Sequence, residues 1–288
     1  MDFQLTFNNY IDKINAHLHM MLDDRQGSIY DAMRYSLYAG GKRIRPVLTL
    51  ATCEAFGGDM ESALSFGCAL EMIHTYSLIH DDLPCMDNDD LRRGKPTNHI
   101  VFGEDMAVLA GDALLNFACE SIVSASLSIS PSDKLKALEV LYTASGAEGM
   151  IGGQVLDMKA EKEPISDVEL KILHSKKTGA LIKAAASLGA IAAGEDTDIL
   201  AEYTEALGLA FQIRDDILDI ESDTLTFGKP VGSDEKNNKT TYVSLYGIDG
   251  ARNLLCEETE KAISSLGFLG DNGKFLKSLA KYLLDRKN

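Results

Sequence analysis

The chain has 288 residues, 45% hydrophobic and 25% charged, with a formal net charge of −16 and a pI near 4.8. That balance fits a soluble globular protein and is repelled on average by nucleic acid and by anionic membrane surfaces, so neither is expected as a partner. The five cysteines follow no CxxC or CxxH spacing, which argues against a disulfide framework or a zinc site and predicts core thiols in a reducing compartment.

From the N-terminus, Met1-Asp2-Phe3-Gln4 has neither a basic n-region nor an apolar h-region, so no signal peptide is expected. Phe3, Phe7, Ile11, Ile14, Leu18 and Met21 recur at three- and four-residue spacing and predict a first helix. The same periodicity predicts helices over 63–80, 104–128, 132–149, 179–193 and 196–220. Between them Gly40-Gly41, Gly57-Gly58, Gly152-Gly153 and Pro164-Ile165-Ser166-Asp167 read as helix ends, and Ser166 with Glu169 forms a capping-box signature for a new helix. Period-two alternation is scarce, and no apolar run approaches the ~18 residues of a membrane span. No linker, low-complexity tract or charge block interrupts the chain. A single all-α domain over 1–288, with long central helices and a cytoplasmic location, is expected.

Basic clusters stand out against the acidic background: Lys42-Arg43-Ile44-Arg45, Arg92-Arg93-Gly94-Lys95 and Lys176-Lys177. Taken singly, each reads as a solvated helix end. His17, His19 and His99 have no ligand spacing, His174 is expected on a helix surface, and His80 reads as a structural neighbour of Asp81.

Two acidic motifs carry the chemistry. In Asp215-Asp216-Ile217-Leu218-Asp219, the first and last aspartates lie about 40° apart on one helix face. Carboxylates so placed on an apolar helix repel each other, and a hard divalent cation with oxygen ligands is their natural compensation. In Asp81-Asp82-Leu83-Pro84-Cys85-Met86-Asp87, a straight helix would put Asp81 and Asp87 on different faces. Pro84 removes a backbone N–H and disfavours helical geometry at Leu83, so a loosening there would swing Asp87 back toward Asp81. Both motifs end an apolar helix and both are followed by cationic residues. Carboxylates that hold magnesium, together with arginines and lysines, imply a polyanionic substrate carried on the metal. No GxxxxGK[ST] loop is present, which excludes a P-loop nucleotide site. The chemistry suggested is departure of diphosphate from an apolar group.

These motifs, with Gly40-Gly41-Lys42-Arg43-Ile44-Arg45-Pro46, His74-Thr75-Tyr76-Ser77, Gly152-Gly153-Gln154, Lys177-Thr178-Gly179 and Phe211-Gln212, resemble bacterial-type farnesyl diphosphate synthases, within the short-chain trans-isoprenyl diphosphate synthase family, from about residue 30 to the C-terminus. The resemblance implies a bundle of roughly ten or more helices around a deep central cavity, usually as a homodimer. It implies that Asp81, Asp87 and Asp215 ligate magnesium, three ions in all, with Asp82, Asp216 and Asp219 in support. Arg92, Lys177, Lys229 and Lys239 would hold the allylic diphosphate. Lys42, Arg45, His74 and Arg93 would hold isopentenyl diphosphate, with Arg286-Lys287 closing over it. Lys177, Thr178 and Gln212 would turn carbonyl and hydroxyl dipoles to an allylic cation.

The implied reaction is magnesium-assisted ionisation, condensation and elimination, joining isopentenyl diphosphate to dimethylallyl or geranyl diphosphate. Tyr76, five residues before Asp81, and Ser77 would set chain length, and an aromatic there goes with a fifteen-carbon product. The stretch Cys85 to Asp90 also resembles geranylgeranyl diphosphate synthases, which keeps a twenty-carbon product as the alternative. A terpene cyclase would leave Lys42, Arg45 and Arg93 without a role, and a non-catalytic partner subunit would be expected to lose one acidic motif.

Overall fold

A computed structural model describes residues 2–221 and 240–285. The chain is helical almost throughout, as the periodicity predicts. In order come α1 (Phe3–Leu22), α2 (Ser28–Leu37), α3 (Ile44–Phe56), α4 (Met60–Asp81), α5 (Asn98–Phe102), α6 (Glu104–Ser124), α7 (Pro131–Ser145), α8 (Met150–Ala160), α9 (Asp167–His174), α10 (Ala180–Ala193), α11 (Ala201–Glu221), α12 (Tyr242–Ser265) and α13 (Lys274–Asp285). A two-stranded hairpin, Leu91–Arg92 with Lys95–Pro96, follows α4.

Helix starts are written in the sequence. Asp2, Asp59, Ser130, Ser166 and Thr241 each accept a backbone N–H of the first turn they precede. Ser166 and Glu169 form the expected capping box. Gly57 and Gly194 end α3 and α10 in the left-handed conformation.

Helix α4 is apolar around most of its circumference and is correspondingly central, packed between α3, α6 and α10. Its Phe66, Leu70 and Ile73 join Leu48 and Leu50 of α3 and Leu188 of α10 in the main core. A second core cluster joins Ile213 and Ile217 of α11 to Tyr242 and Leu255 of α12 and Leu170 of α9.

Several expectations are corrected. Gly152-Gly153 lie in the first turn of α8, just inside the helix rather than between helices, and a side chain at Gly153 would strike the backbone of Lys177. Cys53 and Cys68 are buried, yet Cys85 and Cys256 are exposed, so the thiols are not uniformly core. His174 is half-buried with its ring against Tyr242 at 5.6 Å rather than on an open surface. Helix α6 is long and apolar enough, at mean hydropathy 1.5, to match a membrane span by length and composition, although 44% of that window is buried in the bundle. Composition-based reading missed it because Glu104, Asp105, Asp112 and Glu120 punctuate the sequence.

Candidate active site

The first acidic motif sits where α4 stops. Asp82 is the last helical cap, and after Pro84 the chain folds back so that the Asp87 N–H donates to the Asp81 carbonyl at 2.9 Å. The Asn88 N–H reaches the Leu83 carbonyl at 3.1 Å, with Asn88 left-handed at φ 54°. The predicted loosening at Pro84 therefore brings the backbone of Asp87 onto that of Asp81. Asp82 is buried, 3% exposed, and is clamped by Arg92 through Nε at 2.9 Å and through Nη2. Burial pulls the Arg92 pKa down, but the hydrogen bond and charge of Asp82 outweigh it and the net shift is upward.

The hairpin supplies the cationic rim. Arg93 and Gly94 both take positive φ, 55° and 73°, the signature of a type I′ turn between strands. Among the described residues, the non-glycine positions with positive φ are Arg43, Asn88 and Arg93, all beside this rim. Such conformations cost about 1–3 kcal/mol each and persist where surroundings enforce them. Here Arg93 donates to the Gly40 carbonyl and lies flat over Gly41, where no side chain would fit. Burial, with Arg43 and Arg92 near, draws the Arg93 pKa below the usual arginine range.

Arg43 is no solvated helix end: it is 4% exposed and donates to Glu71 at 2.8 Å, Asn15 at 3.1 Å and the Leu37 carbonyl at 2.6 Å. This buried, fully partnered guanidinium fixes the start of α3, with Lys42 half-buried beside it. Burial and the neighbouring Arg45 and Arg93 hold the His74 pKa well below the ordinary histidine value, so His74 is neutral at pH 7.

The opposite wall is built around a π-type turn, Ser175–Gly179, between α9 and α10. Such bulges widen a helix and often mark functional sites. Gly153 lets α8 press against its backbone, and Asp157 of α8 pairs with Lys177 at 2.5 Å. Thr178 Oγ1 donates to Gln212 Oε1 of α11 at 3.3 Å, and Gln212 Nε2 donates to Asp216 Oδ1 at 3.0 Å. Asp219, one turn beyond Asp215, is buried at 4%. Lys229, Lys239, Arg286 and Lys287 lie outside the described residues.

Between these walls lies a cavity of about 530 Å³. Asp81 and Asp215 face it, joined by Arg45, His74, Lys177 and Thr178, while Met150, Leu181 and Phe211 make it apolar. Tyr76 and Ser77 line it one turn before Asp81. The Tyr76 hydroxyl is buried without a hydrogen-bond partner, and burial with the charge of Asp81 pushes its pKa up to about 12. A wider groove of about 690 Å³ between α7 and α10 holds none of the motif residues. Asp82, Asp216 and Asp219 are buried and do not line the cavity, Asp87 is exposed, and Arg92 and Arg93 line a separate small crevice with Tyr35 and Asp82.

Residues 26–265 match the family model for polyprenyl synthetase. The chain belongs to this family. A farnesyl diphosphate synthase of Geobacillus stearothermophilus is 54% identical, the match covering 80% of this chain and 79% of that one. A heterodimeric geranylgeranyl pyrophosphate synthase large subunit of Arabidopsis thaliana is 48% identical over 90% of this chain and 72% of that one. Among solved structures, an FPP/GFPP synthase of Zymomonas mobilis superposes with a TM-score of 0.88 at 37% identity, covering 98% of this chain and 99% of the other. The all-helical fold and the assignment as a prenyl-transferring enzyme follow from these matches.

The structure also gives site residues partners that their local sequence does not announce. Asp157, three residues after Gln154, supplies the counter-charge of Lys177. His80 Nε2 donates to the Val108 carbonyl at 3.1 Å, anchoring α4 to α6 just before Asp81. Arg43 was hidden among cations that read as surface.

Proposed function

We propose that this chain is a farnesyl diphosphate synthase, which extends dimethylallyl diphosphate and then geranyl diphosphate with isopentenyl diphosphate to give (E,E)-farnesyl diphosphate. The observation that carries this reading is the convergence of Asp81 and Asp215, from motifs far apart in sequence, on one apolar-walled cavity with cations at its rim and Tyr76 in its wall.

Among the described residues no group of three or more His, Cys, Asp or Glu could enclose a metal ion alone. Magnesium does not require one, since it uses one or two carboxylates and completes its shell with water and substrate phosphates. The hard oxygen donors of Asp81, Asp87 and Asp215 fit it, with Asp82, Asp216 and Asp219 behind them, and three ions follow the family pattern. Bound there, magnesium supplies neutralisation of the charge that grows on departing diphosphate.

Arg92 and Lys177, with Lys229 and Lys239, hold the allylic diphosphate. Lys42, Arg45, His74 and Arg93 hold isopentenyl diphosphate. Lys177 and Thr178 turn carbonyl and hydroxyl dipoles toward the allylic cation, with Gln212 behind Thr178. The apolar wall keeps water from that cation. The isopentenyl double bond attacks, the C–C bond forms, and the departed diphosphate takes the proton. Most of the acceleration is preorganised electrostatics and orientation.

Tyr76 closes the end of the path and limits the chain to fifteen carbons. A twenty-carbon product is the second reading, favoured by the Arabidopsis relative. The same reading includes a cytoplasmic homodimer: α5 and α6 leave Ile100, Val101, Val108 and Leu109 between 41% and 54% exposed, an apolar face that a second copy would cover.

The test incubates the protein with magnesium, isopentenyl diphosphate and, separately, dimethylallyl, geranyl or farnesyl diphosphate, and sizes the dephosphorylated products. Farnesol from the two shorter primers, with farnesyl diphosphate unextended, is expected. Geranylgeraniol would transfer the conclusion to the second reading, and no elongation from any primer would refute both.

A further inference from the structure

Asp216 is 3% exposed, and its two oxygens are used in different directions. Oδ1 accepts from Gln212 Nε2 at 3.0 Å, and Oδ2 accepts the backbone N–H of Tyr242, the first residue of α12, at 2.8 Å. An ionised carboxylate only accepts, so the Gln212 amide must present its NH₂ to Asp216 and its carbonyl to the other side. A primary amide has no preference of its own between its two flipped states, so its neighbours decide. On that other side Thr178 Oγ1 donates to Gln212 Oε1 at 3.3 Å. A hydroxyl has a single proton, and once it is spent on Gln212 the oxygen can offer only lone pairs to the cavity that Thr178 lines.

We propose that Asp216 is a positioning residue for prenyl transfer. Through Gln212 it orients the Thr178 hydroxyl with its oxygen, not its proton, toward the carbon that becomes positive. With its second oxygen it ties α11 to the first turn of α12, which holds the relay still. Every donor in the chain Thr178, Gln212, Asp216 points toward the carboxylate, so each bond polarises the next. The negative end of the relay is thereby presented to the cavity. The inference rests on the farnesyl diphosphate synthase reading, because an oriented dipole matters only if cationic charge develops beside it.

Asp216→Asn is the informative substitution. The new amide can still accept the Tyr242 N–H through its carbonyl, but it now offers an NH₂ to Gln212. The Gln212 amide flips, its NH₂ donates to Thr178, and the hydroxyl proton is driven into the cavity. The expected result is a kcat reduced about 10- to 100-fold, below the roughly 10²–10³ that complete removal of one preorganised group costs, with KM for both substrates changed by less than about threefold. Adding Gln212→Glu restores the pattern, because a carboxylate accepts from the new amide and from Thr178 at once. The double variant is expected to recover to within about tenfold of wild type and to exceed either single variant. Gln212→Glu alone sets two carboxylates in contact and should be impaired.

Binding of inorganic diphosphate with magnesium, followed by calorimetry, should stay within about twofold in Asp216→Asn, and its unfolding midpoint should stay close to wild type. A tenfold or larger loss of diphosphate binding would overturn the inference in favour of a direct metal ligand. So would a double variant no better than Asp216→Asn, full activity in Asp216→Asn, or an unfolded Asp216→Asn that the second substitution fails to restore. Failure of the underlying reading is separable, since wild type itself would then make no prenyl product.

Discussion

Asp81-Asp82 and Asp215-Asp216 divide the same labour by different means. In each pair the first aspartate faces the cavity and the second is buried at 3% exposure. At the end of α4 the buried partner is an arginine delivered by a hairpin, and Arg92 is also a candidate diphosphate ligand. In α11 the partners of the buried aspartate among the described residues include an amide and a backbone N–H, and the helix runs unbroken to Glu221. The first anchor is charged and can be shared with an anionic substrate. The second ties α11 to α12 through groups of the protein itself. Adjacent residues on a helix point about 100° apart, so an Asp-Asp pair at a cavity edge sends one carboxylate in and one back. What the second one meets there decides whether the motif answers to substrate charge.

The largest expected effect strikes both pairs alike. Asp81→Asn or Asp215→Asn should lower kcat by about 10²–10³, the usual cost of removing one preorganised electrostatic group, in steady-state elongation assays. Unequal losses larger than tenfold would break the symmetry.

Next is stability, where the pairs should differ. Asp82→Ala takes the closer ion pair from the Arg92 guanidinium, 19% exposed, and leaves it the 3.4 Å contact with Asp89, at a cost of up to about 3 kcal/mol. Asp216→Ala strands an amide and an N–H at about 1–3 kcal/mol each. Inorganic diphosphate should raise the Tm of Asp82→Ala by supplying the missing anion, and should leave Asp216→Ala behind. Equal recovery in thermal melts would erase the distinction.

A smaller effect concerns the cationic rim. The His74 pKa lies below its unfolded value of about 6.5. Above that pH both states are neutral and there is no pH effect from this group. As pH falls through it, only the unfolded chain takes the proton, so stability falls by up to about 1.4 kcal/mol per pH unit. His74→Gln should therefore lose less Tm than wild type between pH 7.5 and 5.5.

The smallest effect is at Tyr76. Its hydroxyl is buried and unbonded, so Tyr76→Phe should change stability by no more than about 1 kcal/mol, in either direction, and should keep the product length. Tyr76→Ala should instead lengthen it, read by chromatography of the dephosphorylated alcohols.

Much of this molecule is legible without coordinates. Apolar spacing places the helices because burial demands one face every 3.6 residues. Ser166 and Glu169 mark a helix start because unpaired N–H groups need acceptors nearby in sequence. Pro84 announces the break that brings the Asp87 backbone to Asp81. These are local effects, and a local reading finds them. Gly152-Gly153 misled that reading, since glycine serves a tight helix contact as readily as a helix end, and only the approach of the π-type turn tells which. Arg43 read as surface because nothing in its neighbourhood announces Glu71, 28 residues away. Asp157 was passed over for the same reason, since its partner Lys177 lies 20 residues on.

The sequence by itself determined the helices, their caps, the two carboxylate pairs and the class of chemistry they serve, because each depends on residues within a turn or two of one another. Only the tertiary structure decided which carboxylate of each pair faces the cavity, which cations are held by buried partners, and which way the amide of Gln212 turns. Those follow from contacts between helices distant along the chain, where packing and hydrogen-bond direction, not spacing, make the choice.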